Sequence, residues 1–85
     1  MNIEILGMGC AKCHKLEMIT REAVKELGLD AEVEYIKDMA RILEYPIIMT
    51  PGLVINEKVV LSGQVPSKEK VKEMIKAAVG KEGGS

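Results

Sequence analysis

Two cysteines, Cys10 and Cys13, are the residues whose type and spacing best suit chemistry in this 85-residue chain. Two residues separate them, so on a helix their side chains lie about one turn apart. At that distance one thiolate can attack a disulfide, and the other can then release the product from the mixed disulfide. Two thiolates also suit a soft metal ion such as copper(I) or zinc. The pair therefore indicates redox exchange or soft-metal binding, and an inert structural pair is a third alternative.

The two thiols are expected to differ because a helix is predicted to begin beside them. Cys10 falls at or before the first turn, where free backbone N–H groups and the positive end of the helix dipole stabilise a thiolate. Cys13 lies one turn further on and is expected to be more shielded. We therefore predict that Cys10 is the nucleophile and Cys13 the resolving thiol. Lys12 and His14 are predicted to tune the pair by lowering the thiol pKa, although each would be equally ordinary on an exposed helix surface.

The elements that must position the pair follow from the hydrophobic pattern of the first half of the chain. Residues 3–6 are apolar-rich and bounded by glycine, which predicts a strand. Residues 11–27 have helical spacing, and Gly28 suits the left-handed position after a helix. Residues 31–36 alternate apolar and acidic side chains, which predicts a second strand with one face in water. Residues 38–44 begin with an N-capping aspartate and predict a short helix.

The second half of the chain predicts a hairpin followed by a helix. Residues 53–55 and 59–61 are apolar runs separated by a short polar turn. Glu57 suits a tight turn less well than glycine, which leaves a bulged or longer loop open. Residues 67–79 have clean amphipathic spacing after a capping serine, and Gly80 is expected to stop this last helix.

The order β-α-β-α-β-β-α predicts an α/β fold with a mixed four-stranded sheet flanked by three helices. The first two strands are joined through a helix and should be parallel with a right-handed crossover, whereas the last two should be antiparallel. The length allows one domain, residues 1–80, and residues 81–85 are predicted to be a flexible tail.

The sequence of the loop that carries the cysteines also fits a metal-binding protein. Residues 7–13 resemble the Gly-Met-x-Cys-x-x-Cys loop of heavy-metal-associated domains, which carry copper(I) or zinc. That fold runs β-α-β-β-α-β and ends on a strand, whereas this chain is predicted to end on a helix. His14 is the only histidine, so a structural zinc would lack ligands. Redox exchange is therefore favoured, with a metallochaperone that uses the same cysteines as the alternative.

A second candidate feature, Thr50-Pro51, stands just before the predicted hairpin. Proline at the first residue of a strand has a simple structural explanation, because its missing N–H costs little there. A Cys-x-x-Cys helix start followed by Thr-Pro ahead of a hairpin is more specific. With these features the chain resembles the thioredoxin superfamily over residues 1–80, particularly its small glutaredoxin-like and thioredoxin-like redox-active disulfide proteins. Met8 and Met49 either form an apolar docking rim beside the cysteines or fill gaps in the core.

This resemblance implies a thiol–disulfide oxidoreductase that needs no metal and no organic cofactor. It implies that the Thr50-Pro51 peptide bond is cis, that Pro51 faces the dithiol near Cys10, and that Thr50 offers backbone hydrogen bonds to an extended substrate segment. Gly63 matches a position of the family where the backbone packs closely. Glu4 is a candidate, by location alone, for the buried acid that aids proton transfer in thioredoxins.

Charge and composition limit the expected partners and location. The net charge is -1, so the chain has no basic field that would hold nucleic acid or an anionic membrane. No apolar run approaches the roughly 18 residues of a membrane span, and the N-terminus lacks the features of a signal peptide, so we expect a cytoplasmic protein. The expected partners are a disulfide-containing protein or small molecule and an unidentified reductase or dithiol donor. The expected state is a monomer.

Overall fold

The computed structural model describes residues 1–46 and 49–83 and contains the elements in the predicted order. The strands are β1 (Asn2–Leu6), β2 (Glu32–Ile36), β3 (Gly52–Ile55) and β4 (Lys58–Ser62). The helices are α1 (Ala11–Leu27), α2 (Met39–Ile42) and α3 (Lys68–Gly83). None of the described helices has the length and apolar character that crossing a bilayer requires.

The strands form one mixed sheet in the order β2-β1-β3-β4, which confirms the predicted architecture. β1 and β2 are parallel, and the other neighbouring pairs are antiparallel. Leu6, the last residue of β1, pairs with Ile36 at the end of β2 and with Gly52 at the start of β3. Gly52 pairs in turn with Ser62 at the end of β4. These four residues mark one end of the sheet, here called the dithiol end, where the chain leaves β1, β2 and β4 and enters β3.

Alternate side chains of β1 point to opposite faces of the sheet and meet different helices. Ile3 and Ile5 are fully buried in the larger core cluster, which also takes side chains from α1 and α3. Leu6 lies in the smaller cluster with Val54 and with Ile42 of α2. Thus α1 and α3 cover one face, and α2 covers the other. Each such side chain stabilises the fold by about 1.5–3 kcal/mol relative to an exposed one, which lets a core without Phe or Trp hold the domain together.

Helix α1 begins and ends at the predicted residues. Its last turn closes at Gly28, which adopts φ 65° and donates its N–H to the carbonyls of Lys25 and Val24. Glycine reaches this left-handed conformation without the penalty that a Cβ brings. The predicted glycine cap is therefore confirmed, and it turns the chain toward β2.

Helix α2 is shorter than the predicted span of residues 38–44. Asp38 caps it as expected, because its side chain accepts the N–H of Ala40 at 3.0 Å. Beyond Ile42 the N–H of Glu44 still donates to the carbonyl of Arg41, three residues back. The last predicted turn has thus tightened to i→i+3 hydrogen bonds, as helix ends often do.

The β3–β4 connection is a tight turn, so the longer loop left open at Glu57 is wrong. Ile55 pairs with Lys58, which leaves Asn56 and Glu57 as a two-residue turn. Both residues have positive φ, 50° and 70° respectively. The N–H of Asn56 donates to the carbonyl of Asn2, and its side-chain oxygen accepts the N–H of Asn2 at 3.0 Å. These two hydrogen bonds anchor the turn to β1 through Asn56, beside Glu57 with its positive φ. The irregularity of the ladder lies instead between Leu53 and Val54 of β3.

Helix α3 starts as predicted but continues further. The Ser67 hydroxyl accepts the N–H of Lys70 at 3.3 Å and caps the helix. Gly80 does not stop it, since the helix runs through Gly83. Glycine inside a helix costs about 1 kcal/mol relative to alanine but keeps its N–H, so it weakens a helix without ending it. Flexibility of the tail, residues 81–85, stays a prediction, and residues 84 and 85 lie outside the described residues.

Candidate active site

Cys10 is the N-cap residue of α1 and presents its sulfur at the start of the helix. Its backbone is extended (φ -76°, ψ 166°), and its Sγ accepts the N–H of Cys13 at 3.3 Å. Cys10 is exposed, Cys13 is buried, and neither is in a disulfide. A backbone N–H donor and the positive end of the helix dipole therefore both point at the Cys10 sulfur. The structure thus brings the predicted pair together with the predicted contrast in exposure.

Gly7 makes room for the buried thiol. A Cβ at this position would lie 2.6 Å from Cys13 Sγ and 2.7 Å from Cys13 Cβ, closer than real Cβ contacts come. The N–H of Gly7 donates to the carbonyl of Ile36 at 3.0 Å, which extends the β1–β2 ladder by one bond. The glycine is therefore required by the close approach of Cys13 to the backbone at the end of β1.

Tyr35 is the site residue that the sequence prediction missed. Its hydroxyl oxygen accepts the N–H of Gly9 at 3.0 Å. The same hydroxyl borders the small space beside Gly7 that the Cys13 sulfur also borders. The imidazole of His14 stacks on its ring with the centroids 5.5 Å apart. The available signal was topological: Tyr35 is next to last in β2, and parallel pairing places it beside Ile5 near the dithiol end. Within β2 alone, Tyr35 is one of the alternating apolar residues, and nothing there marks it as a site residue.

Hydrogen bonding shifts the protonation of the buried thiol. Burial raises the pKa of Cys13, but hydrogen bonds outweigh it and hold the pKa below the ordinary cysteine value. These bonds involve the Cys10 thiol, the backbone of Cys10 and Met8, and the Tyr35 hydroxyl. A larger fraction of Cys13 is therefore thiolate near neutral pH, and the thiolate is the form that attacks a disulfide.

The two predicted tuning residues have different surroundings. His14 is exposed, stacks on Tyr35 and places Nδ1 3.8 Å from a carboxylate oxygen of Glu17. Lys12 is an exposed side chain in the first turn of α1. The contacts of His14 link it to the site through Tyr35, and the tuning roles of both residues stay predictions.

Thr50 and Pro51 lie at the dithiol end of the sheet. The peptide bond between them is cis, as the resemblance implied. Pro51 is buried and its carbonyl accepts the N–H of Gly63 at 2.7 Å. Because Gly52 pairs with Leu6, Pro51 enters the sheet beside the strand that leads to the cysteine loop. The Thr50-Pro51 segment therefore precedes β3 at the point where the cysteine loop leaves the neighbouring strand, β1.

Gly63 packs closely against the segment before Pro51, as expected. It has φ 75°, and a Cβ there would lie 3.0 Å from the Cβ of Met49. The backbone of Met49 is held by the Ser62 hydroxyl, which donates to its carbonyl at 3.0 Å. The Met49 side chain is 62% exposed and that of Met8 is 55% exposed, so neither fills the core.

Glu4 does not serve as the acid of the buried thiol. Its carboxylate accepts the hydroxyl of Tyr45 at 2.6 Å and pairs with Arg41 at 3.3 Å. It shares the α2 face with Leu6, whereas Tyr35 packs with the α1–α3 core on the other face. The hydrogen bond to Glu4 raises the pKa of Tyr45 to about 12. The period of two along β1 therefore puts this carboxylate on the wrong side of the sheet.

Within the described residues, no three His, Cys, Asp or Glu side chains meet in a group that could hold a metal ion. The chemistry available to the site is that of two sulfurs one helical turn apart, with backbone N–H groups and a tyrosine hydroxyl as hydrogen-bond donors.

Comparison with known proteins agrees with this geometry. The family model of the thioredoxin domain matches residues 1–76. A thioredoxin of Methanothermobacter thermautotrophicus is 49% identical over 75 residues, which cover 88% of this chain and 97% of that protein. A thioredoxin of Methanocaldococcus jannaschii is 39% identical over 75 residues, which cover 88% of this chain and 86% of that protein. The chain therefore belongs to the thioredoxin domain family and is a thiol–disulfide oxidoreductase.

Proposed function

We propose that Cys10 attacks the substrate disulfide and that Cys13 resolves the mixed disulfide. The observation that carries this assignment is the contrast between the two sulfurs: Cys10 is exposed at the helix N-terminus, and Cys13 is buried one turn later. A substrate sulfur reaches Cys10 first. Cys13 then meets only the mixed disulfide that Cys10 has already formed.

The reaction consists of two successive exchanges. The Cys10 thiolate attacks one substrate sulfur, a new S–S bond forms, and the other substrate sulfur leaves as a thiolate that takes up a proton. Cys13 loses its proton and attacks the Cys10 sulfur, which forms the Cys10–Cys13 disulfide and releases the second substrate thiolate, also protonated. The substrate gains two electrons and two protons. The protein loses two electrons and the protons of both thiols, and the proton of Cys10 leaves when that thiol ionises before the first attack. A dithiol donor restores the protein by the reverse sequence.

Thr50-Pro51 is proposed to orient the substrate. Its position at the dithiol end supports a role in which the Thr50 backbone hydrogen-bonds an extended segment on either side of the substrate disulfide. Met8 and Met49 are proposed as an apolar rim for that segment, because both side chains are exposed beside the elements of the site. Methionine suits this role since it adapts to varied shapes.

Lys12 and His14 are proposed to tune the pair from the first turn of α1. Positive charge near a thiol favours the thiolate. His14 can contribute positive charge only when it is protonated.

The proposed substrates are disulfides of proteins or small molecules, and the electrons come from a reductase or dithiol donor. We propose that the protein acts as a monomer in the cytoplasm. The net charge of -1 supports a working partner that is neither a nucleic acid nor an anionic membrane.

Trapping with matched cysteine variants tests the assignment. Cys13→Ser incubated with oxidised glutathione or a disulfide-bonded protein should accumulate a mixed disulfide at Cys10, seen as a mass increase on the intact chain. Cys10→Ser should accumulate far less, because its remaining thiol is buried. Equal trapping by the two variants would contradict the assignment. So would a wild-type chain that binds copper(I) or zinc tightly and exchanges with neither disulfide.

A further inference from the structure

The buried thiol of Cys13 meets a tyrosine where the family resemblance led us to expect an acid. Glu4 lies on the α2 face of the sheet and is engaged by Tyr45 and Arg41. Tyr35 comes from the end of β2 on the opposite face, and its hydroxyl lies beside the Cys13 sulfur at Gly7. The group that can influence the resolving sulfur is therefore a phenol.

The geometry fixes the direction of this contact. The Tyr35 oxygen accepts the N–H of Gly9 at 3.0 Å, so the hydroxyl proton remains for the sulfur. A Cβ built on Gly7 would lie 2.6 Å from Cys13 Sγ and 2.9 Å from the Tyr35 oxygen, so both atoms border the same small space. The imidazole of His14 stacks on the phenol ring, with 16° between the planes, and steadies its orientation.

We infer that Tyr35 is a positioning residue for the resolving step: its hydroxyl donates to the Cys13 sulfur and holds that sulfur as a thiolate beside the Cys10 mixed disulfide. The inference rests on the proposed division of roles between Cys10 and Cys13. Tyr35 exchanges no electrons. It acts through the sulfur that attacks, whose proton passes to solvent before the Cys10–Cys13 bond forms and the substrate thiolate leaves.

Tyr35 remains a hydrogen-bond donor over the pH range in which cysteine thiols titrate. Burial raises the pKa of Tyr35. Its hydrogen bond to Cys13 and the negative charge of the Cys13 and Cys10 thiolates raise it further, against the opposing bond from Gly9. Tyr35 therefore remains protonated where cysteine thiols titrate. A carboxylate in the same place would carry charge and repel the thiolate, whereas a phenol stabilises it with no charge of its own.

Removal of the hydroxyl should change the resolving rate in opposite directions at low and high pH. At low pH the resolving rate of Tyr35→Phe should fall about threefold for each unit by which the Cys13 pKa rises. The smaller thiolate fraction lowers the rate, and the greater nucleophilicity of each thiolate recovers part of that loss. At high pH Cys13 is ionised in both proteins, so only the greater nucleophilicity of the variant's thiolate remains. The variant should then be about threefold faster for each unit by which the Cys13 pKa rises. The two pH profiles should therefore cross.

The experiment uses the full chain and dithiobis(nitrobenzoate) in stopped flow. Two coloured thiolates are released in turn, and the phase whose rate does not depend on probe concentration reports resolution by Cys13. Attack alone is measured in the Cys13→Ser background, where Tyr35→Phe should leave the rate within about twofold. Tyr45→Phe is the matched control, because it removes the hydroxyl of the other tyrosine, on the α2 face.

Crossing profiles for Tyr35→Phe, with Tyr45→Phe following the wild type, would support the inference. A Tyr35→Phe profile that coincides with the wild type, or one that is slower by the same factor at every pH, would overturn it, since a purely structural role gives no crossing. Circular dichroism at each pH confirms that the variant is folded, and Tyr35→Trp, which also lacks the hydroxyl, should give the same crossing if the phenylalanine variant unfolds. A wild-type chain that releases no second thiolate would instead refute the proposed roles of the cysteines.

Discussion

At the residue scale, two glycines shape the elements around the dithiol, and only one of them makes room for a sulfur. Gly7 leaves the space that Cys13 occupies, and Gly28 takes the left-handed conformation that ends α1. These two glycines serve different purposes. A Cβ at Gly28 would meet nothing within 4 Å, whereas one at Gly7 would collide with Cys13.

Gly7→Ala and Gly28→Ala therefore form a matched pair. Gly28→Ala should lower the free energy of unfolding by about 1–2 kcal/mol through backbone strain and leave disulfide exchange unchanged. Gly7→Ala should cost about 1–3 kcal/mol through overpacking and should also slow exchange, since Cys13 must move. Urea unfolding and a disulfide-reduction assay check both effects. Normal exchange in Gly7→Ala would show that the close contact does not matter to the site.

Local sequence patterns predict the residues whose roles depend on near neighbours in the chain. The contrast between Cys10 and Cys13 follows from their places at a helix start, and Gly28 follows from its place after the last apolar position. Tyr35 was missed because its role appears only when β2 is set beside β1 in register. Glu4 is suggested only by its location in the first strand, and the folded sheet shows that it lies on the face of β1 away from Tyr35.

At the element scale, the β3–β4 turn and helix α1 each contain a local conflict. Glu57 adopts a positive φ in a position that favours glycine. Thr20 of α1 is fully buried, and its hydroxyl is the one buried side-chain oxygen or nitrogen without a hydrogen-bond partner among the described residues. Sequence patterns located both elements, but only the folded contacts reveal these conflicts.

Glu57→Gly should stabilise the fold by about 0.5–1 kcal/mol. The gain from relieved strain exceeds the added chain entropy of glycine in the unfolded state. Glu57→Ala is the control, because it removes the carboxylate but keeps the Cβ and should leave the midpoint of urea unfolding nearly unchanged. An equal gain in both variants would attribute the effect to the charge and contradict the strain argument.

Thr20→Val should stabilise the protein by about 1 kcal/mol, since it replaces an unpaired buried hydroxyl with a methyl group of similar shape. Thr20→Ser, which keeps the hydroxyl and removes the methyl group, should instead destabilise it. Thermal and urea unfolding measure the difference. A valine variant less stable than the wild type would mean that the hydroxyl is satisfied in solution.

At the scale of the whole molecule, α1 and α3 are joined above the sheet by charge as well as by apolar packing. Glu26 of α1 pairs with Lys72 at 3.1 Å and with Lys68. Hydrogen bonds from Lys68 and Lys72 lower the pKa of Glu26. A carboxylate with a lowered pKa in the folded state adds stability above its ordinary pKa, and this contribution is lost as the pH falls through the lowered value.

Glu26→Gln should therefore lose less stability than the wild type on acidification from about pH 7 to about pH 3. Urea midpoints at the two pH values give the comparison. Glu44→Gln, at an exposed position after α2, is the control and should behave as the wild type. An acid-induced loss in Glu26→Gln as large as that of the wild type would contradict the linkage.

The architecture as a whole is predictable because the local hydrophobic pattern indicates each element, and few topologies accommodate the order β-α-β-α-β-β-α. A parallel crossover, a hairpin and a final helix lead to the observed sheet. The element ends were less predictable, because the limits of α2 and α3 depend on small differences in free energy at their last turns.

The central claim is that Cys10 and Cys13 form a reversible disulfide within one chain. Its most direct test is the equilibrium reduction potential of the intact protein, measured by redox titration with alkylation and mass analysis. We expect one two-electron transition between about -300 and -120 mV, with a mass difference of two hydrogens and no linkage between chains. Cysteines that stay reduced across that range, or that pair only between two chains, would contradict the account.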